Sequence, residues 1–375
     1  MSETSKSIFL AGGGTGGHLY PGIAVAEALR EVAPELKPIF LCTQREIDRT
    51  ILSSTGFEFI AQPIVPPTRT VGGLLKFWKS WRETKDLVKT AFAEHKPLAI
   101  LGLGGYAAGV AVKYAATRGL PAVILNPDVV PGRANQYLLR SVQAMCCQFE
   151  ATKHYVPVAQ QSKLRITGCP IRRDIIHLPP REQALARLGL ARRVMTLVIT
   201  GASQGALTVN QAFLGCVASL NLQGWQILHL AGKEHAESVR REYRELGIEA
   251  AVIDFTPAMA DVWAVADLAI SRAGASTCAE LTACGVPSIL MPYPYHKDQQ
   301  QKLNARVLAE AGAAVLLEDQ KDRKKNAERL GPILQSLLYD APRRALMSQA
   351  ARALGKPNAA AAVAAVIMEM IRQSR

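Results

Sequence analysis

The sequence predicts an α/β protein built from two doubly wound domains. Three observations lead there. Strand-length apolar runs alternate with helix-length amphipathic segments along the whole chain. A glycine-rich turn follows an apolar strand early in each half, at Gly12–Gly17 and again at Gly201–Gly205, so the two halves repeat one opening. The 375 residues, 49% hydrophobic and 20% charged, suffice for two packed cores and argue against disorder.

Composition narrows the setting. A net charge of +13 points to nucleic acid, a membrane surface or an anionic substrate. Long Lys/Arg tracts and an aromatic nucleic-acid motif are both absent, which argues against nucleic acid. The seven cysteines include no C-x-x-C pair, and adjacent Cys146 and Cys147 are no disulfide framework, so a reducing cytosol is the simplest setting. The apolar part of MSETSKSIFLAGGG is too short for a secretory signal. The longest apolar run, Ala359 to Met368, falls short of a membrane span.

Taken in order, Ser7 to Ala11 is a strand feeding the block AGGGTGGHLYPG, followed by an amphipathic helix from about Ile23 to Arg30. Gly12, Gly14 and Gly17 satisfy the dinucleotide fingerprint G-x-G-x-x-G. The next strand, Pro38 to Cys42, nevertheless ends in Thr43-Gln44-Arg45, with no acid to hold an adenosine ribose; only an Arg45 contact to a 2′-phosphate would keep that reading. Glycines here let backbone amides approach a diphosphate closely. His18, at the end of the loop, is read as a general base or a diphosphate contact, against the plainer reading of a structural hydrogen-bonder.

From Thr70 to Lys89, Leu74, Leu75, Phe77, Trp78 and Trp81 fall close together on a helix, interleaved with Lys76, Lys79, Arg82, Lys85 and Lys89. Such a helix either packs its aromatics inward beneath a solvated cationic face or anchors at a membrane interface. Near an anionic leaflet each basic residue adds about 1 kcal/mol. Leu98 to Gly109 is a strand running into a glycine turn; a strand-to-helix crossing explains the glycines but not Tyr106. After the strand Pro121 to Leu125, Pro127 stiffens the loop, and Asp128 is a candidate base or a turn-stabilising residue. Leu164 to Arg173 marks the passage between domains. There Arg172 offers a planar, permanently protonated group suited to a diphosphate, or is an ordinary surface arginine.

The second half opens with the strand Val194 to Thr200 and the turn Gly201–Leu207, where Ser203 can bond phosphate or cap a helix. Ile227 to Ala231 and Ala251 to Phe255 read as further strands. The stretch Ala266–Asn304 is a βαβ unit: strand Leu268 to Ser271, a Gly-Ala-Ser-Thr turn, a short helix, a Gly285-Val286-Pro287 stop and strand Ser288 to Met291. Its turn presents backbone N–H groups and a positive helix end, which favour a nucleotide phosphate. Glu280, one turn inside, can accept from both hydroxyls of a ribose. Thr277 and Glu280 also spell a capping box. Arg343 to Leu354 and Ala359 to Arg372 read as helices separated by Gly355–Asn358.

The blocks Gly12–Gly22, Gly102–Tyr106, Gly168–Arg172, Gly201–Ala206, Arg272–Leu281 with Gly285–Pro287, and Pro292–Ala305 together resemble the MurG family over nearly the whole chain. Members are N-acetylglucosaminyltransferases that convert lipid I to lipid II in peptidoglycan synthesis. The resemblance implies the GT-B glycosyltransferase arrangement, two Rossmann-like domains facing a cleft. An acceptor and membrane-facing domain spans 1–165 and takes back the C-terminal helix, about 356–375; a UDP-sugar domain spans 166–355. Donor contacts are implied for Thr15, Gly16, Gly17, Arg172 and Ser203, for Ala275, Ser276 and Thr277 at the diphosphate, and for Glu280 at the uridine ribose. Gln300 and Gln301 would meet the transferred sugar, and backbone around Thr256 and Met259 the uracil. Gly13, Gly14, Tyr106, Asp128 and Asn135 would lie on the acceptor side. The lipid acceptor favours membrane contact through the Leu74–Arg82 patch and a peripheral place on the cytoplasmic side of the cell membrane.

The chain also departs from the family. Leu125-Asn126-Pro127-Asp128 stands where most members have His-Glu-Gln-Asn, Gln300 where many have His, and Ala202 replaces a glycine. The implied reaction is a single inverting displacement on UDP-N-acetylglucosamine, with His18 as base and Asp128 as rival. No Asp-x-Asp metal motif is present, and no cofactor is expected; helix N-termini and Arg172 would meet the leaving UDP. Rival readings are a glycosyltransferase with another lipid or aglycone acceptor, a catalytically silent homologue, and a hydride-transfer enzyme.

Overall fold

The computed structural model describes residues 6–201, 205–295 and 298–374, so Ser203 lies outside the described residues. The chain forms two units, Met1–Arg172 with Pro357–Arg375, and Arg173–Lys356. The first holds β1 (Lys6–Gly12), β2 (Leu36–Thr43), β3 (Glu58–Gln62), β4 (Pro97–Gly104), β5 (Ala122–Asn126), β6 (Ala144–Cys147) and β7 (Leu164–Ile166). They pair in the order β3-β2-β1-β4-β5-β6-β7, all parallel. A parallel sheet is covered on both faces, hence unbroken apolar runs such as Ile8–Ala11, all fully buried. The helices Gly16–Val32, Glu46–Ser53 and Ala359–Gln373 pack on one face, and Val71–His95 with Gly109–Thr117 on the other.

The second unit holds β8 (Met195–Thr200), β9 (Trp225–Leu230), β10 (Ala251–Ile253), β11 (Leu268–Ser271), β12 (Ser288–Leu290) and β13 (Ala314–Leu316). Their order is β10-β9-β8-β11-β12-β13, again parallel throughout. In both sheets the strand order reverses beside the first strand, and ligands of open α/β sheets bind beyond the strand ends at that reversal. In the first unit the reversal sets Gly12 opposite Gly104; in the second it sets Thr200 opposite Ser271.

Two segments differ from the sequence expectation. The first helix begins at Gly16 rather than near Ile23, although it contains three glycines and Pro21. Burial of Leu19 and Ile23 to Ala26 against the sheet outweighs their weak propensity. By length and composition Ala341–Gln373 could cross a membrane, but it is two helices, Ala341–Leu354 and Ala359–Gln373. The second fills the core beside the first helix, through Val363, Ala364, Ile367 and Ile371.

Candidate active site

After β1 the chain turns through Gly13 and Gly14. Gly14 has φ 86°, a left-handed conformation that glycine adopts without penalty, and a Cβ at Gly13 would lie 2.2 Å from Asp48 Oδ2. Thr15 is the N-cap of the helix, its carbonyl accepting from the His18 and Leu19 N–H groups. This places the His18 ring against the turn after β4, where a Cβ on Gly105 would come within 3.1 Å of it. His18 Nδ1 is 3.2 Å from the Gly13 carbonyl and 3.3 Å from Thr15 Oγ1. A carbonyl only accepts, so Nδ1 carries the proton and Nε2 the lone pair. Burial pushes the imidazole below its usual range; the Gly13 bond and the charges of Asp128 and Asp48 oppose that without cancelling it. A neutral ring with its lone pair on Nε2 is the form a general base needs.

Tyr106 converges on the same loop. Its hydroxyl and the Arg45 guanidinium both lie within 4 Å of where a Gly14 side chain would begin. Burial raises the phenol above its ordinary range, so it stays a hydrogen-bond donor at neutral pH. Sequence reasoning missed Asp48, which accepts from the Gly14 N–H, the Thr43 N–H and the Thr43 hydroxyl. An acid in the first turn of the helix Glu46–Ser53 reads simply as a favourable helix charge, so no sequence signal marked it.

In the second unit β11 leads through Gly274, the N-cap, into the helix Ala275–Cys284. Ala275, Ser276 and Thr277 are its first three residues. Thr277 therefore lies inside the helix, and the capping box with Glu280 does not form, because Gly274 already holds the cap position. Glu280 Oε2 instead accepts from the indole N–H of buried Trp263 at 2.8 Å. Trp263 lies one turn along the helix Met259–Val265, whose first residue is Met259. Thr256 Oγ1 is turned to its own loop, accepting from the Ala258 N–H. The helix Gln300–Glu310 is tied to this turn: Asn304 donates to the Ala273 carbonyl, and Gln301 Oε1 accepts from the Tyr293 N–H.

A second feature missed in the sequence lies beneath that turn. Buried Arg272 donates to the Met291 and Pro292 carbonyls, to Asp319 Oδ2 and to Thr208 Oγ1, while Asn326 donates to the other Asp319 oxygen. One ion pair thus joins the ends of β11, β12 and β13. Its members are 47 residues apart in sequence, beyond any local pattern.

Residues 8–147 match the glycosyltransferase family 28 N-terminal domain, and residues 196–363 its C-terminal domain. A protein of Halothermothrix orenii, a UDP-N-acetylglucosamine–N-acetylmuramyl-(pentapeptide) pyrophosphoryl-undecaprenol N-acetylglucosamine transferase, is 34% identical over 365 residues, covering 94% of this chain and 95% of the relative. A protein of the same name from Thermodesulfovibrio yellowstonii is 35% identical over 378 residues, covering 98% and 100%. The chain belongs to the MurG family. The crystal structure of Acinetobacter baumannii MurG has the same fold, with a TM-score of 0.77 at 24% identity over 97% of this chain and 99% of that one.

The loop Leu125–Asp128 of this MurG-family chain is tied down. Asn126 donates to the Asp128 carbonyl, and buried Asn135 donates to the Leu125 carbonyl and to Asn126 Oδ1. The Asn135 amide protons are thereby committed to the loop itself. Asp128 is half-buried, and its charge acts on His18. Arg172 places its guanidinium 5.2 Å over the ring of Tyr20, on the helix that carries His18.

The aromatic patch of the MurG-family chain is split by helical geometry. Leu74, Leu75 and Trp78 are exposed, the last by 56%, together with Lys76, Lys79 and Arg82. Phe77 and Trp81 instead follow the stripe of Thr84 and Val88 onto the core, Trp81 against Gly109. At 100° per residue the two sets leave the helix in different directions, so the patch is narrower than its sequence spacing suggested.

Proposed function

We propose that this enzyme transfers N-acetylglucosamine from UDP-N-acetylglucosamine to the 4-hydroxyl of the N-acetylmuramyl unit of lipid I, the undecaprenyl-diphosphate-linked pentapeptide, giving lipid II for peptidoglycan synthesis. The end-to-end identity with transferases of that activity carries the reading. The acceptor hydroxyl attacks the anomeric carbon in line and with inversion. His18 Nε2 removes its proton, a contribution of about 10²- to 10⁴-fold. The departing UDP is met by the N-terminus of the helix Ala275–Cys284 and by Arg172, and Glu280 holds the ribose hydroxyls. Thr15, Gly16, Gly17 and Ser203 complete the donor contacts, and Gln300 and Gln301 bind the transferred sugar. Gly13, Gly14, Tyr106 and Asp128 receive the acceptor.

The enzyme works as a peripheral protein on the cytoplasmic side of the membrane, where Leu74, Leu75 and Trp78 enter the interface and the adjacent cations meet anionic lipid. The reading is tested by following UDP release from UDP-N-acetylglucosamine with a lipid I analogue, beside diacylglycerol and simple aglycones. Turnover on the lipid I analogue alone supports it. Donor binding with turnover only on a simpler acceptor assigns the altered Leu125–Asp128 loop to a different substrate.

A further inference from the structure

We propose that Asp48 is a positioning residue for His18 and acts through a single peptide group. The Gly13–Gly14 peptide points its N–H and its carbonyl in opposite directions, as trans peptides do. Its N–H lies 2.8 Å from Asp48 Oδ1 and 2.9 Å from Oδ2. Its carbonyl oxygen lies 3.2 Å from His18 Nδ1. The order is carboxylate, peptide, imidazole: the charge on Asp48 polarises the peptide, and the polarised carbonyl accepts more strongly from Nδ1–H. That bond fixes the tautomer with the lone pair on Nε2 and steadies the imidazolium formed when Nε2 takes a proton, the duty that a carboxylate performs directly in a Ser-His-Asp triad. No proton crosses the peptide.

The surroundings suit this role. Asp48 is 0% exposed, and its Oδ2 also accepts from the Thr43 N–H at 2.9 Å and the Thr43 hydroxyl at 2.6 Å, so the carboxylate cannot swing away. Gly13 leaves the room that this close approach requires. Arg45 Nη1 holds the Gly14 carbonyl at 2.7 Å, so the peptide groups on both sides of Gly14 are gripped from the start of one helix. Without that grip, a run of glycines would be the least ordered segment of the unit.

The inference rests on His18 as the base, and the test separates the two. Asp48→Asn keeps an acceptor for Gly14 and removes the charge. It is expected to lower kcat on the lipid I analogue by roughly ten- to a hundredfold, with KM for UDP-N-acetylglucosamine changed by less than about threefold. In a His18→Ala background the same change is expected to cost less than about threefold, because both act through one ring. Imidazole ¹⁵N shifts of His18 report one tautomer in the parent enzyme and a mixture in Asp48→Asn. Should Asp48→Asn fold poorly, Arg45→Gln loosens the same loop from the exposed side and is expected to lower kcat in the same His18-dependent way. If His18→Ala cripples kcat while Asp48→Asn leaves kcat and tautomer unchanged, the inference alone is overturned. An intact kcat in His18→Ala removes the base assignment and the inference with it.

Discussion

The indole N–H of Trp263 donates to Oε2 of Glu280 across 2.8 Å, linking the helix after β10 to the helix after β11. An indole offers one donor and no acceptor, so Trp263 orients the Glu280 carboxylate through one oxygen, and the proposed hold on the ribose depends on that orientation. Trp263→Phe keeps the ring and deletes the bond. KM for UDP-N-acetylglucosamine is expected to rise about three- to tenfold, the net scale of one ordinary hydrogen bond, with kcat little changed. The preference for the natural donor over its 2′-deoxy analogue should shrink in parallel; an undiminished preference would mean that Glu280 does not hold the ribose.

As the proposed base, His18 should set the acid limit of activity. Its pKa is lowered from 6.5, chiefly by burial, so the neutral, active form persists as the pH falls through 6.5. The acid limb of the kcat/KM profile should therefore lie below pH 6.5, measured as initial rates. A limb above that value is incompatible with His18 as the base in this environment.

Acid should also loosen the second unit. Burial lowers His229 to about 3, where its ring lies between the Tyr243 hydroxyl and Asn210 Oδ1. Between pH 6.5 and 3 the unfolded chain binds a proton that the fold refuses, so stability is full above 6.5 and falls with pH, by about 2 kcal/mol at pH 5. Urea unfolding at pH 7.5 and pH 5 measures this, and His229→Gln should flatten the difference.

Breaking the Arg272–Asp319 pair should cost far more than removing a surface ion pair. Both side chains are nearly inaccessible, and Asp319→Ala strands a buried guanidinium, a loss of about 3 to 5 kcal/mol. Losing Lys79–Glu83, an exposed pair 3.9 Å apart, should change urea midpoints little. Equal effects of the two substitutions would refute the ranking.

The two tryptophans of the helix Val71–His95 should behave differently. Trp78→Ser is expected to weaken binding to vesicles containing anionic lipid while leaving the melting temperature nearly unchanged. Trp81→Ser should instead destabilise the unit, because that ring packs on the core. Vesicle sedimentation and thermal melts distinguish the pair, and salt should reduce the binding in proportion to the cations engaged.

Much of this protein was legible in one dimension. Apolar runs such as Ile8–Ala11 and Leu268–Ser271, each ending at small residues, determined the strands; glycine spacing determined the turns; and the blocks around His18 and Glu280 determined the family. These signals are local, since a strand, a tight turn or a helix start is specified by residues within a few positions of each other. What tertiary structure decided lies in pairs remote in sequence. Asp48 reaches Gly14 across 34 residues, Arg272 reaches Asp319 across 47, and Glu280 meets Trp263 rather than the capping box that Thr277 and Glu280 spell. Helical phase likewise divided Trp78 from Trp81, and burial rather than propensity extended the first helix back to Gly16. A buried polar group must find its partner wherever the fold brings one, and sequence order does not encode that meeting.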